Sequence, residues 1–115
     1  MKFCFLLDML WFIYYNAFVI KVEATDIFET WFASLRDMKT KVVIDMHIDC
    51  IRQGNLGIVR PLGEGLFEKK IQYGPGLRLY FANRGEDWII LLAGGDKGSQ
   101  RADIKKAKQI KNEVS

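Results

Sequence analysis

Histidine, cysteine and proline are scarce in this chain, with one His, two Cys and two Pro among 115 residues. A single histidine, His47, excludes the multi-histidine ligand sets that hold zinc. Cys4 and Cys50 lie far apart with no metal-like spacing, so both read as free thiols and no disulfide framework is expected. His47 has no Asp or Cys partner that spacing identifies and reads as a surface or boundary residue. No cofactor and no metal site follow from these residues. Low-complexity disorder is excluded as well, because half of the residues are hydrophobic and 27% are charged.

A chain of this length makes one domain with one real core. The net charge is +3, unevenly placed. Residues 1–59 carry 6 Lys/Arg against 7 Asp/Glu, whereas residues 60–115 carry 11 against 7. A basic C-terminal half suits a polyanionic partner, nucleic acid being the commonest, although a solvated surface has the same composition.

Phe3 to Ile20 form an apolar run of 18 residues, broken by Asp8 and Asn16. Lys2 alone is a weak basic lead, and Val22-Glu23-Ala24-Thr25 is a poor cleavage site for a signal peptide. As a membrane span the run is at the short limit, and Asp8 near its middle costs about 3 kcal/mol to insert. The reading adopted is upstream sequence translated from an early start codon. Residues 1–16 are then an apolar extension and 17–115 the domain; a membrane-anchored protein is the alternative.

Phe18 to Ala24 reads as a strand. Asp26, with Glu29 three residues on, reads as the N-cap of a short helix whose apolar stripe is Ile27, Phe28, Trp31, Phe32 and Leu35. A second helix is expected over Lys39–Gln53, with Val42, Val43, Met46, Cys50 and Ile51 inward and Gly54 ending it. Residues 54–65 read as loop. Strands are expected over Leu66–Tyr73, Leu77–Phe81 and Asp87–Ala93, the last apolar enough to be covered on both faces. Ser99 can cap a final helix with Ile104, Ala107, Ile110 and Val114 inward and a basic outer side. The fold class is α+β: a small, mainly antiparallel sheet with helices packed on it.

If Gly74-Pro75-Gly76 is a three-residue loop, Tyr73 faces Leu77, Gln72 faces Arg78, Ile71 faces Leu79 and Lys70 faces Tyr80. Alternation then puts Ile71, Tyr73, Leu77 and Leu79 on the core face, and Lys70, Gln72, Arg78 and Tyr80 on the other. Two cations, an amide and a ring can seat RNA, with charge holding phosphate and the ring stacking on a base; an ordinary solvated face carries the same residues. The loop Gly94-Gly95-Asp96-Lys97-Gly98-Ser99-Gln100 precedes a helix N-terminus, where anions are favoured, but it lacks the phosphate-loop pattern of nucleotide triphosphate enzymes.

These segments carry a resemblance. Gly54-Asn55-Leu56-Gly57, Pro61-Leu62-Gly63-Glu64-Gly65, Tyr73-Gly74-Pro75-Gly76-Leu77-Arg78-Leu79-Tyr80-Phe81 and Ile90-Leu91-Leu92-Ala93-Gly94-Gly95-Asp96-Lys97-Gly98-Ser99-Gln100, followed by Asp103-Ile104, resemble the HigB-like addiction-module killer proteins of the RelE superfamily. The similarity runs from about Val19 to Asn112. It implies a RelE-like order β-α-α-β-β-β with a C-terminal helix, and a type II toxin that cleaves messenger RNA, commonly on the ribosome. Its implied partners are mRNA and a cognate helix-turn-helix antitoxin, with operator DNA reached only through the antitoxin complex; the implied location is the cytoplasm, with no membrane partner. Cleavage in the superfamily proceeds without a metal, the ribose 2′-OH attacking the adjacent phosphate. By position the resemblance assigns catalysis to Lys70, Arg78 and Lys97, and RNA contact is expected of Lys69, Gln72, Tyr80, Gln100 and Arg101. Two departures stand out: position 70 is commonly Arg in the family, which offers a bidentate fork that Lys lacks, and Lys69 stands where an apolar residue is usual. A non-cleaving RNA- or ribosome-binding protein of the same fold is the alternative.

Overall fold

The computed structural model describes residues 20–85 and 87–114. The chain runs β1 (Lys21–Ala24), α1 (Asp26–Ser34), α2 (Met38–Arg52), β2 (Ile58–Gly63), β3 (Leu66–Ile71), β4 (Leu77–Asn83), β5 (Trp88–Gly95) and α3 (Gln100–Val114). The expected domain boundary after residue 16 lies outside the described residues. No helix among them is long and apolar enough to cross a membrane. The architecture is α+β, a mixed five-stranded sheet in the order β1-β5-β4-β3-β2, with β1 parallel to β5 and the other pairs antiparallel.

Several local expectations need correction. The stretch read as loop contains β2. Its Pro61 has no N–H to give a ladder, which is tolerated because β2 is an edge strand paired on one side only. The turn into β3 places Glu64 and Gly65 at φ of 56° and 78°, the sense that matches strand twist in a two-residue hairpin. At the start of α1 the cap is Thr25, one residue earlier than expected: its hydroxyl accepts from the Phe28 N–H at 3.1 Å and donates to the Leu92 carbonyl at 2.7 Å. Asp26 instead supplies negative charge in the first turn. In α2 the buried side chains are Ile44, Ile48 and Ile51, while Val42 and Met46 are exposed. The helix meets the sheet along a stripe rotated from the expected one, through Ile44, Ile48 and Ile51.

The β3–β4 register also differs. Ile71 pairs with Leu77, Lys70 with Arg78, Lys69 with Leu79 and Glu68 with Tyr80, so the connection is five residues, 72–76. The shift is two residues, and an even shift preserves faces while changing partners. Odd-numbered Ile71, Leu77, Leu79 and Phe81 therefore still join Ile44, Ile48 and Ile51 in the core beneath α1 and α2. The opposite face carries a second core of Leu66, Tyr80, Ala82, Ile90, Leu92 and Ala93 beneath Ala107 and Ile110 of α3. A bulge in β5 opposite Tyr80 and Phe81 lets Leu92 and Ala93 both contribute to that core. The covering of β5 on both faces and the inner stripe of α3 agree with the sequence reading.

Candidate functional site

Helix α3 covers only part of its sheet face. Beside it, toward β2, the even-numbered side chains of three strands line a pocket of about 240 Å³, formed by Ile58, Arg60, Glu68, Lys70, Arg78 and Gln100. Three guanidinium or ammonium groups against one carboxylate leave an excess of positive charge. Lys70 and Arg78 are direct cross-strand partners, an arrangement of like charges that is destabilising unless an anion or a carboxylate lies between them.

Glu68 organises this pocket. Its side chain is 6% exposed, and its Oε1 lies 3.2 Å from Arg60 Nη2 and 3.9 Å from Arg78 Nε. The Gln100 side-chain N–H donates to Oε2 at 3.0 Å, tying the first turn of α3 to β3. Arg78, equally buried, donates through Nη1 to the Gly76 carbonyl at 2.8 Å. Its Nε is buried without a hydrogen-bond partner. A buried guanidinium has five donors, so Arg78 keeps capacity to bind an anion from the pocket.

Lys97 stands on the loop before α3, exposed and outside the pocket wall. A Cβ placed on Gly76 would lie 3.4 Å from Arg78 Nη1 and 3.6 Å from Lys97 Cβ, so the β3–β4 turn brings both Arg78 and Lys97 close to one glycine. The loop is pinned by Ser99, whose N–H donates to Asp96 Oδ1 at 3.1 Å and whose hydroxyl donates to Asp103. Ser99 thus precedes α3 as expected, with its hydroxyl committed to carboxylates.

The structure brings together Lys70, Arg78 and Gln100, with Lys97 next to them. It separates the rest. Lys69 is 1% exposed and faces α2, donating to the Leu56 carbonyl at 2.5 Å, so it cannot share a surface with Lys70. Its odd number, in step with Ile71, was the available signal. Tyr80 is wholly buried beneath α3 and offers no face for stacking. Burial, then the carboxylates of Glu68 and Asp103, pushes its phenol above the ordinary tyrosine value. Gln72 is exposed in the turn, not on a strand, and Arg101 is exposed on α3 away from the pocket lining. Glu68 and Arg60 are the residues missed: Glu68 shares the parity of Lys70, while Arg60 lay in the segment read as loop.

His47 sits on α2, half-buried, near Lys69 and on the far side of the sheet. Burial and the positive Lys69 hold its imidazole below the ordinary value. Cys50 is a free thiol on the same helix. Among the described residues no three His, Cys, Asp or Glu side chains gather into a metal-holding group. A larger pocket of about 470 Å³ between β1, α1 and α2 carries Glu23, Glu29 and Asp45 against Arg52, an acidic balance that disfavours phosphate.

No family model matches the chain, and no solved structure matches it. It is similar to an uncharacterized protein of Haemophilus influenzae, with 36% identity over 95 residues, 83% of this chain and 96% of that protein. Identity at that level over nearly the whole of the relative means that the chain belongs to the same family as this Haemophilus influenzae protein.

Proposed function

We propose that this chain is the toxin of a type II toxin–antitoxin pair, a RelE-superfamily endoribonuclease of the HigB-like kind that cleaves messenger RNA on the ribosome in the cytoplasm. The observation that carries the reading is the pairing of Lys70 directly across from Arg78 in an open pocket, with Arg60 in its wall and Lys97 beside it. Such a cluster favours a phosphodiester. In the reaction the ribose 2′-oxygen bonds to phosphorus, the bond from phosphorus to the 5′-oxygen breaks, and a cyclic phosphate and a 5′-hydroxyl result. Arg78 and Lys97 stabilise the charge that builds on the phosphate oxygens, and Lys70 positions or deprotonates the 2′-hydroxyl. Glu68 holds Arg78 and Gln100 in place for this. The partners are mRNA and a cognate helix-turn-helix antitoxin.

Induced expression with mapping of cut transcripts tests the proposal. The wild-type chain should arrest growth and generate new 5′ ends, and neutral replacement of Lys70, Arg78 and Lys97 by Gln should abolish both. Full cleavage by the triple variant would remove these residues from the mechanism. A second reading, a non-cleaving RNA binder, is favoured by one observation: the pocket lining contains no histidine, since His47 lies across the sheet. Growth arrest with whole transcripts would select it.

A further inference from the structure

The cationic pocket also holds an acceptor that a phosphate does not use. Gln100, half-buried in the first turn of α3, lines the pocket together with Lys70 and Arg78. Its side-chain amide has one orientation. The end that lies 3.0 Å from Glu68 Oε2 must be the N–H end, because an ionised carboxylate accepts and cannot donate. The other end is the carbonyl Oε1, and among the described residues nothing donates to it. Nor is this oxygen a buried orphan. The buried side-chain atoms without a partner among the described residues are Arg78 Nε, Tyr80 Oη and Trp88 Nε1, so Gln100 Oε1 is reachable from outside.

Glu68 cannot take the place of this oxygen. Its Oε1 lies between Arg60 and Arg78, its Oε2 is held by Gln100, and its side chain is 6% exposed. The same contacts tie the acceptor to the cations. Glu68 accepts from Gln100 with one oxygen and lies 3.9 Å from Arg78 Nε with the other, while Lys70 is the cross-strand partner of Arg78. The remaining lining is Arg60, a donor, and Ile58, an exposed apolar side chain directly across from Lys70. A ligand that uses every one of these groups carries an anion and, close to it, one neutral hydrogen-bond donor. In RNA the 2′-hydroxyl stands on the carbon next to the one that bears the 3′-phosphate, and it is the group that distinguishes RNA from DNA.

We infer that Gln100 is the residue by which this pocket selects ribose over deoxyribose, its Oε1 accepting a hydrogen bond from the 2′-hydroxyl beside a phosphate held by Lys70 and Arg78. This role rests on the reading of the pocket as a phosphodiester site. The test titrates three ligands without a scissile bond into the full chain: adenosine 3′-monophosphate, its 2′-deoxy analogue, and its 2′-deoxy-2′-fluoro analogue, which keeps the size of the position but cannot donate. The ribonucleotide should bind about two- to tenfold more tightly than either analogue, the range that one neutral hydrogen bond contributes. In Gln100→Met, which keeps the side chain's length and removes the acceptor, the ratio of ribonucleotide to deoxynucleotide affinity should fall to one. Equal binding of ribonucleotide and deoxynucleotide by the wild-type chain overturns the selection and leaves the phosphate pocket standing. A fluoro analogue that binds as tightly as the ribonucleotide shows that no donor is read, and overturns the role of Gln100 without any variant. A ratio that persists in Gln100→Met does the same. Failure of all three ligands to bind overturns the phosphate pocket itself, and the selection with it.

Discussion

At the scale of single residues, Lys69 and Lys70 are adjacent in sequence and opposite in environment. The ammonium of Lys69 is spent on the Leu56 carbonyl inside the α2-facing core, and burial holds it below its ordinary pKa. Lys70 is exposed in the cationic pocket. A Lys that contacts phosphate contributes about one unit to the salt dependence of nucleic-acid binding. Lys70→Met should therefore lower the slope of log affinity against log salt by about one, and Lys69→Met should leave the slope unchanged in any variant that remains folded. The reverse pattern would put the RNA on the wrong face. His47 supports a pH prediction. Because its folded-state pKa is lowered, the unfolded chain binds more protons just below pH 6.5, so stability rises with pH through that window and falls on acidification. His47→Gln should reduce the difference between urea midpoints measured at pH 7.5 and at pH 5.5; an unchanged difference would assign the acid sensitivity to other groups.

At the scale of elements, the end of β5 is built on two glycines with different duties. Gly94 accommodates the Trp31 ring on one face of the sheet, and a Cβ on Gly95 would lie 1.8 Å from Asp103 Oδ2 on the other. Neither duty requires a positive φ; both are matters of space. Gly94→Ala must displace a ring packed against Phe28, an overpacking that costs about 1–3 kcal/mol. Urea unfolding should show that loss, and a change under about 0.5 kcal/mol would mean that Trp31 swings away freely. The β3–β4 hairpin teaches a related point. Alternation alone placed Lys70 and Arg78 on one face and Ile71 and Leu79 on the other, and this survived a register error of two residues. Which residues pair depends on how many enter the turn, and here Gly74 and Gly76, at φ of 57° and 82°, allow a five-residue connection.

At the scale of the whole molecule, the sheet separates two cores. Ile44 belongs to the core beneath α1 and α2, and Ile110 to the one beneath α3. Truncation of either to Ala should cost about 2–5 kcal/mol. Since the two sites share no neighbours across the sheet, the double variant should lose the sum within about 0.5 kcal/mol. A coupling above 1 kcal/mol would show that the faces communicate through the strands. The same layering makes the candidate site: α3 covers part of its face and leaves the pocket of Arg60, Lys70 and Arg78 open beside it.

The sequence by itself determined what is periodic and local. Helix and strand spacing, the covered strand β5, the parity that joins Lys70 to Arg78 and the inner stripe of α3 all follow from side-chain alternation and backbone preference. Tertiary structure alone decided what depends on neighbours distant along the chain. It made a strand of Ile58–Gly63 by giving Pro61 an edge position, buried Tyr80 beneath α3, and turned Glu68 into the carboxylate that holds Arg60, Arg78 and Gln100 together. The physical reason is that burial and charge pairing are properties of assembled surfaces. Spacing along one strand says which way a side chain points, but not what will cover it.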